Sequence, residues 1–159
     1  MSRKREDLSR LKTKWAATRI VVKYNQKELQ HKPVIVSHKQ AHEMILSVWD
    51  KELINIHEEL MAFYFTRANR LIGYRLISSG SSHKCLIDLK FLVSLALHTM
   101  ASHVIIAHNH PSGEVQPSMQ DKEVTARVKQ ALALIDVKLI DHLIISENDC
   151  YSFGVEGEL

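Results

Sequence analysis

The sequence has few of the residues that mark secreted or membrane proteins. Its 159 residues include only 2 Cys, Cys85 and Cys150, which lie too far apart for a C-x-x-C metal or redox motif. We interpret them as reduced thiols. No apolar stretch reaches the length of a membrane span, and the N-terminus lacks the apolar segment of a secretory signal. These absences predict a soluble cytoplasmic protein with no membrane partner.

A strong excess of one charge is also lacking, as are internal repeats and low-complexity segments. With 21 Lys and Arg against 18 Asp and Glu, the net charge of +3 permits contact with nucleic acid but does not demand it. The length and the 45% hydrophobic content are typical of one globular domain. Charged residues are dense in 1–14, so we interpret 1–19 as a solvated basic tail, in preference to a nucleic-acid-binding arm, and 20–159 as the domain.

Proline and glycine are scarce too, at 3 and 5 in the chain. Three of them, Pro111, Gly113 and Pro117, break regular structure within one stretch, residues 108–121 (HNHPSGEVQPSMQD). It follows an apolar run that has the character of a strand. Residues two apart on a strand point to the same side, so His108 and His110 should aim two imidazoles at one point.

The same stretch continues into a predicted helix that begins at Ser118 and carries Asp121 on its first turn. Two imidazole nitrogens and a carboxylate oxygen are a natural ligand set for a catalytic zinc, with the fourth position left to water. A His-x-His pair alone is weak in a chain with 10 His. Ser-x-x-Asp is also a helix N-cap pattern, and the two roles can coexist. The full constellation predicts a metal site at His108, His110 and Asp121.

Apolar runs separated by turn residues predict alternating strands and helices. The predicted strands are 20–24, 59–65, 71–78, one from 103, 137–146 and 150–153; the predicted helices are 37–50, 88–101 and 118–134. The helix from 88 is expected to turn Phe91, Leu92, Leu95 and Met100 toward the core. The pattern predicts an α/β protein of the α+β type, with a mixed β-sheet flanked by helices.

The spacing His-x-His-Pro, with seven residues between the second His and a Ser, then two before an Asp, resembles the JAMM signature of JAB/MPN metalloproteases. The sequence is similar to the RadC branch of this family in four places: HNHPSG with PSxxD, RANR at 67–70, DHLI at 141–144 and YSF at 151–153. The resemblance runs from about Ile20 to the C-terminus. It implies the JAB/MPN fold, a cytidine-deaminase-like architecture.

The resemblance also implies a Zn²⁺-dependent hydrolase that cleaves a peptide or isopeptide bond of a peptide or protein substrate. Enzymes of this type use a Glu before a central strand as proton carrier, and aligning 65–72 on the RadC pattern selects Glu58 over the adjacent Glu59. The alternative is that both are solvated charges at a strand start. Ser118 would donate a hydrogen bond to the developing oxyanion. Asn109 should point away from the metal.

Two further interpretations bear on function. His142 and His103 have no spacing that ties them to the metal, so we interpret them as packing or surface residues. Family members often carry Thr and Arg where this chain has Cys85 and Lys90, a departure that bears on the substrate groove and leaves the metal ligands untouched. The rival function is a nucleic-acid-interaction module, associated with DNA repair or mobile elements, whose metal site is not catalytic. The oligomeric state is not predicted.

Overall fold

The computed structural model describes residues 34–80 and 87–159 and contains, in those ranges, five strands in one sheet and three helices. The strands are β1 Glu58–Phe65, β2 Leu71–Gly80, β3 His103–Asn109, β4 Lys138–Ile145 and β5 Cys150–Ser152; the helices are α1 His38–Val48, α2 Leu89–His98 and α3 Met119–Ala133. The strand order is β2-β1-β3-β4-β5, and β3 runs parallel to β4 while the other neighbours are antiparallel. The predicted mixed sheet of the α+β type is confirmed.

The central strands are apolar along almost their whole length because helices cover both of their faces. In β1 every residue after the first is buried, and in β3 likewise. On one side, which we call the α1 face, Ile45 and Trp49 pack against Phe63 of β1. On the other side, the α3 face, Leu92 of α2 and Val128 of α3 lie in one cluster that includes residues of β1 and β3.

All three helices begin with the capping residue that the sequence predicts. The side chains of Ser37, Asp88 and Ser118 each accept a hydrogen bond from the backbone N–H three residues along. Such caps satisfy N–H groups that have no partner within the helix. The helix starts, and with them the start of α3 at the predicted metal site, are therefore set by local sequence.

The C-terminal end of α2 differs from the prediction. We expected Met100 to face the core, but its side chain is 82% exposed. The helix ends at His98, and the N–H of Ala101 bonds back to the carbonyl of Ala96, a turn that requires a left-handed residue at Met100 (φ 51°). This turn directs Met100 outward. Leu92 and Ala96 are the fully buried positions of the helix.

Some predictions concern residues outside the described ranges, and others differ from the structure at the end of an element. The basic tail 1–19, the strand at 20–24 and Cys85 lie outside the described residues. The strand predicted at 71–78 is two residues longer, because Ser79 and Gly80 extend β2. Within residues 34–80 and 87–159, no helix is both long enough and apolar enough to cross a membrane.

Candidate metal centre

The centre lies where β3 ends and α3 begins. His108 pairs with Leu60 across the antiparallel β1–β3 ladder, so its side chain lies on the α3 face with Leu60. The backbone N–H of His110 donates to the carbonyl of Ile145 on β4 at 3.0 Å, so the pairing of the two strands continues one residue beyond the end of β3. Both imidazoles therefore point to the same side, toward the first turn of α3.

Three potential ligand atoms converge there. The Nε2 atoms of His108 and His110 are 3.0 Å apart. Asp121 places Oδ1 at 3.1 Å from His108 Nε2 and Oδ2 at 3.7 Å from His110 Nε2. One atom from each residue lies within 4.8 Å of the others. The structure thus brings together the three residues that the sequence predicts as metal ligands.

His110 is oriented through its other ring nitrogen. Its Nδ1 lies 2.6 Å from the carbonyl oxygen of Glu114, and because a carbonyl only accepts, Nδ1 must carry the proton. The turn that returns the chain to this position uses Gly113 at φ +83°, a conformation that suits glycine. In the neutral ring, Nε2 of His110 then presents its lone pair to the centre.

His108 is oriented by a buried chain of side chains. The hydroxyl of Thr125 donates to the carbonyl of Asp121 at 2.6 Å, so it can only accept from Nδ1 of His142, also at 2.6 Å. Burial keeps the pKa of His142 well below its usual value, so this ring is neutral and its Nε2 is an acceptor. Nδ1–H of His108 donates to that Nε2 at 2.8 Å. The lone pair of His108 is left on Nε2, facing the centre.

Asp121 is held by the helix cap. The backbone N–H and the hydroxyl of Ser118 donate to its Oδ2, at 2.7 Å and 2.6 Å, while its own N–H donates to the Ser118 oxygen. This capping box occupies Oδ2 and turns Oδ1 toward His108. The N-terminus of α3 adds the positive end of a helix dipole beside the carboxylate.

The charges of the centre are strongly coupled. Burial raises the pKa of Asp121, but the rings of His108 and His110, which donate to the carboxylate only when they are protonated, outweigh burial and hold the pKa well below its usual range. The hydrogen bond with Asp121 raises the pKa of His110, although burial opposes it. The carboxylate is therefore ionised, and the centre favours a positive charge next to it.

These residues fit a metal cation. Two imidazole lone pairs and an ionised carboxylate face one another across distances of 3.0–3.7 Å, an arrangement that a cation relieves. Ligand atoms in a tetrahedral site with bonds of 2.0–2.1 Å are about 3.3 Å apart. The donor set of two nitrogens and one oxygen is typical of zinc sites that keep a fourth position open.

The two candidate glutamates lie on opposite faces. Glu58 is two residues before Leu60 and so shares the α3 face with His108. Its negative charge contributes to the raised pKa of His110, although less than the hydrogen bond with Asp121 does. Glu59 is buried on the α1 face, where its Oε1 lies 3.1 Å from Nε2 of His57. Of the two, only Glu58 shares the face of the sheet on which the centre lies.

Asn109 points away from the centre, as expected, and stabilises the chain before β1. Its Oδ1 accepts from the N–H of Glu59 at 2.7 Å, and its Nδ2 donates to the carbonyls of Ile54 and His57 at 2.7 and 2.9 Å. The residue between the two histidines therefore ties the end of β3 to the segment that leads to Glu58.

Our interpretation of His142 as a packing or surface residue is incomplete, because the ring packs on Phe153 but also contacts the candidate ligand His108. It is fully buried and hydrogen-bonded to His108, and Thr125 completes the contact. The signal that could have found it is the DHLI stretch, in which His142 lies. The strand β4 carries this stretch and directs the side chain of His142 to the α3 face, where the centre lies. His103 does lie apart from the centre and contacts Asn69.

The fold and the site define an α+β domain with a candidate metal centre of two histidines and an aspartate at the end of a central strand. The model of the RadC-like JAB domain family matches residues 34–158. The chain therefore belongs to the RadC family of JAB domains, and the architecture agrees with the JAB/MPN fold.

Similar proteins from different bacteria are named UPF0758 proteins. The UPF0758 protein YfjY of Escherichia coli (strain K12) is 41% identical over 102 residues, which cover 64% of this chain and 64% of that protein. A UPF0758 protein of Flavobacterium johnsoniae is 40% identical over 101 residues, 64% of this chain and 44% of that protein. One of Streptococcus thermophilus is 32% identical over 144 residues, 90% of this chain and 61% of that protein. The matches span about two fifths to two thirds of these relatives.

Proposed function

We propose that this domain is a zinc-dependent hydrolase of the JAMM type, a metallopeptidase that cleaves a peptide or isopeptide bond with a metal-activated water. The observation that carries the proposal is the convergence of His108, His110 and Asp121 within 4.8 Å. Both imidazoles are also oriented through their other nitrogen, as ring ligands of metals are. These three residues would hold the ion and leave one position for water.

A bound zinc would act as a Lewis acid and lower the pKa of a water to about 7. Glu58 would then accept the proton of the attacking water and return it to the departing nitrogen. Its place on the α3 face and its influence on the pKa of His110 support this assignment. Glu59, in contrast, contacts His57 on the α1 face.

We propose that Ser118 donates a hydrogen bond to the developing oxyanion and also holds the carboxylate of Asp121. Its hydroxyl proton is donated to Oδ2 of Asp121 at 2.6 Å, so a bond to the substrate requires the hydroxyl to rotate. The backbone N–H of Ser118 continues to hold Oδ2 during such a rotation. The helix N-terminus also favours negative charge at this place.

The first test is metal analysis of the purified protein, with His110→Ala as the matched variant. We expect one zinc per chain in the wild type and loss of that zinc in the variant, because two ligands hold the ion poorly against solvent. Far-UV circular dichroism with and without chelator should show a folded domain in both, because an open catalytic site sits on a core that does not need it. Full occupancy in the variant contradicts the ligand assignment, and unfolding by chelator indicates a structural zinc.

The second test is a peptide-library screen with and without chelator. Cleavage that requires zinc supports the peptidase and identifies the substrate. The contrary outcome is DNA binding without any cleavage, with a steep salt dependence that flattens when residues 1–14 are removed. That result would favour the nucleic-acid module with a non-catalytic metal site.

A further inference from the structure

We propose that His142 and Thr125 are positioning residues that hold His108 as its Nδ1–H tautomer and so keep its Nε2 lone pair on the metal. The inference rests on the proposed function, since it takes the centre to be a metal site. Neither residue touches the three converging ligand atoms. Both act through His108, from β4 and α3 respectively.

The direction of each hydrogen bond follows from one fixed point. The carbonyl of Asp121 can only accept, so the Thr125 proton is committed to it. The remaining bonds then run in one direction, from His142 Nδ1–H to Thr125 and from His108 Nδ1–H to His142. His142 is fully buried and has no carboxylate among its hydrogen-bond partners, which favours the neutral ring on which this direction depends.

The chain of bonds also closes on the second ligand. It leaves His108 on β3, crosses β4 at His142 and returns through Thr125 to the backbone of Asp121 on α3. The His142 ring stacks on Phe153, with centroids 4.8 Å apart and planes 9° from parallel, so the ring cannot turn freely. A single buried path of hydrogen bonds therefore fixes the position of His108 on β3 relative to Asp121 on α3.

Removal of these hydrogen bonds should allow His108 to adopt either neutral tautomer. A neutral imidazole without a partner at Nδ1 populates both tautomers, and the Nε2–H form has its lone pair on Nδ1, away from the metal. Removal of such an outer partner typically weakens metal binding about 10–100-fold. Loss of stability alone would not change which nitrogen of His108 carries the proton.

The experiment uses His142→Phe, which keeps a ring against Phe153 but removes the acceptor, and His142→Gln, which restores a carbonyl acceptor. Zinc affinity is measured by competition with a chromophoric chelator, and the His108 tautomer by nitrogen-15 NMR of the metal-free protein. We expect about 10–100-fold weaker zinc binding in His142→Phe. The NMR spectrum should gain the Nε2–H form, and His142→Gln should restore both values at least in part.

Thr125 supplies a second pair of variants if the phenylalanine is not tolerated. Thr125→Val has the shape of threonine without the hydroxyl, and Thr125→Ser keeps the hydroxyl. We expect roughly tenfold weaker zinc binding for valine and little change for serine. Leu143→Val is the control for stability, because Leu143 is buried beside His142 but lies on the α1 face.

The outcomes separate this inference from the proposed function. Unchanged zinc affinity and tautomer in folded His142→Phe or Thr125→Val overturn the positioning of His108. An equal loss of affinity in Leu143→Val would overturn it too, because the effect would then follow stability. If the wild type binds no zinc, the proposed function fails, and the inference fails with it.

Discussion

The two faces of the central sheet use neighbouring residues for different purposes. Three adjacent pairs divide between the faces, at the start of β1, the end of β3 and the middle of β4. The α3 face receives Glu58, His108 and His142, and the α1 face receives Glu59, Asn109 and Asp141. The strand pleat makes this division, because successive side chains point to opposite sides.

The polar residues of the α1 face are satisfied by their own surroundings. Asn109 bonds three backbone groups, and Asp141 accepts from the hydroxyl of Ser152 and from the N–H groups of Gly154 and His142. On the α3 face the hydrogen bonds lead instead to atoms that face the centre. The comparison indicates that one face stabilises the end of the sheet and the other holds the candidate metal centre.

The sharpest test of the comparison is the pair of glutamates. Glu58→Gln keeps the size of the side chain but cannot accept a proton, so turnover should fall about 10²–10⁴-fold. Glu59→Gln, its matched control on the α1 face, should leave turnover nearly unchanged. The measurement is cleavage of a peptide from the library screen, with zinc content determined in both variants.

Either glutamate can contradict the division. A steep loss in Glu59→Gln with zinc still bound would move the proton carrier to the α1 face. Equal turnover in Glu58→Gln and the wild type would leave the centre without its proton carrier, and the hydrolase proposal would fail. A loss of zinc in Glu58→Gln would instead make it a ligand.

The second pair is His108 and Asn109. Asn109→Ala leaves one N–H and two carbonyls without their partner, so the free energy of unfolding should fall by about 2–4 kcal/mol while zinc stays bound at one per chain. His108→Ala should lose the zinc. Urea unfolding and metal analysis measure the two effects. Loss of zinc in a folded Asn109→Ala protein would show that the α1 face takes part in the centre.

The sequence predicted what depends on short spacing and missed what depends on register. The fold class, the helix starts and the grouping of His108 and His110 follow from residues a few positions apart. His142 is 34 residues from His108, and their contact depends on the parallel β3–β4 register, which contains an irregularity. Met100 was misplaced because helix periodicity does not indicate where a helix ends. The choice of Glu58 needed the family pattern, since alternation alone separates two glutamates without saying which one meets the metal.

The third pair tests pH dependence through Asp141. Burial raises the pKa of Asp141 above its usual value of 3.8, although hydrogen bonds from Ser152, Gly154 and His142 oppose the shift. A carboxyl group with a raised folded pKa stabilises the fold below its unfolded pKa and loses that contribution as pH rises through its folded pKa. Asp141→Asn cannot ionise. At acid pH it should lower the free energy of unfolding by roughly 0.5–1.5 kcal/mol, because its amide places an N–H donor next to groups that themselves donate hydrogen bonds.

The measurement is urea unfolding of the metal-free wild type and Asp141→Asn at several pH values upward from 3.8. We expect the stability advantage of the wild type to shrink as pH rises. The comparison cancels the carboxylate of Asp121, which both proteins share and whose depressed pKa has the opposite effect on stability. An advantage that grows with pH would mean that the hydrogen bonds to Asp141 outweigh its burial.

The smallest expected effect is at Gly154, which lies against Asp141. A Cβ on Gly154 would lie 3.2 Å from Oδ1 of Asp141 and 3.4 Å from the carbonyl oxygen of Ile140, so the carboxylate must shift by a few tenths of an ångström. Gly154→Ala should lower the free energy of unfolding by about 1 kcal/mol, the low end of overpacking costs. Gly73→Ala is the matched control, because no atom lies within 4 Å of its Cβ. Zinc affinity should be the same in both variants and the wild type, because the crowding is confined to the α1 face. A change in zinc affinity for Gly154→Ala alone would show that Asp141 transmits strain through His142 to the centre, and the two faces would then not be independent.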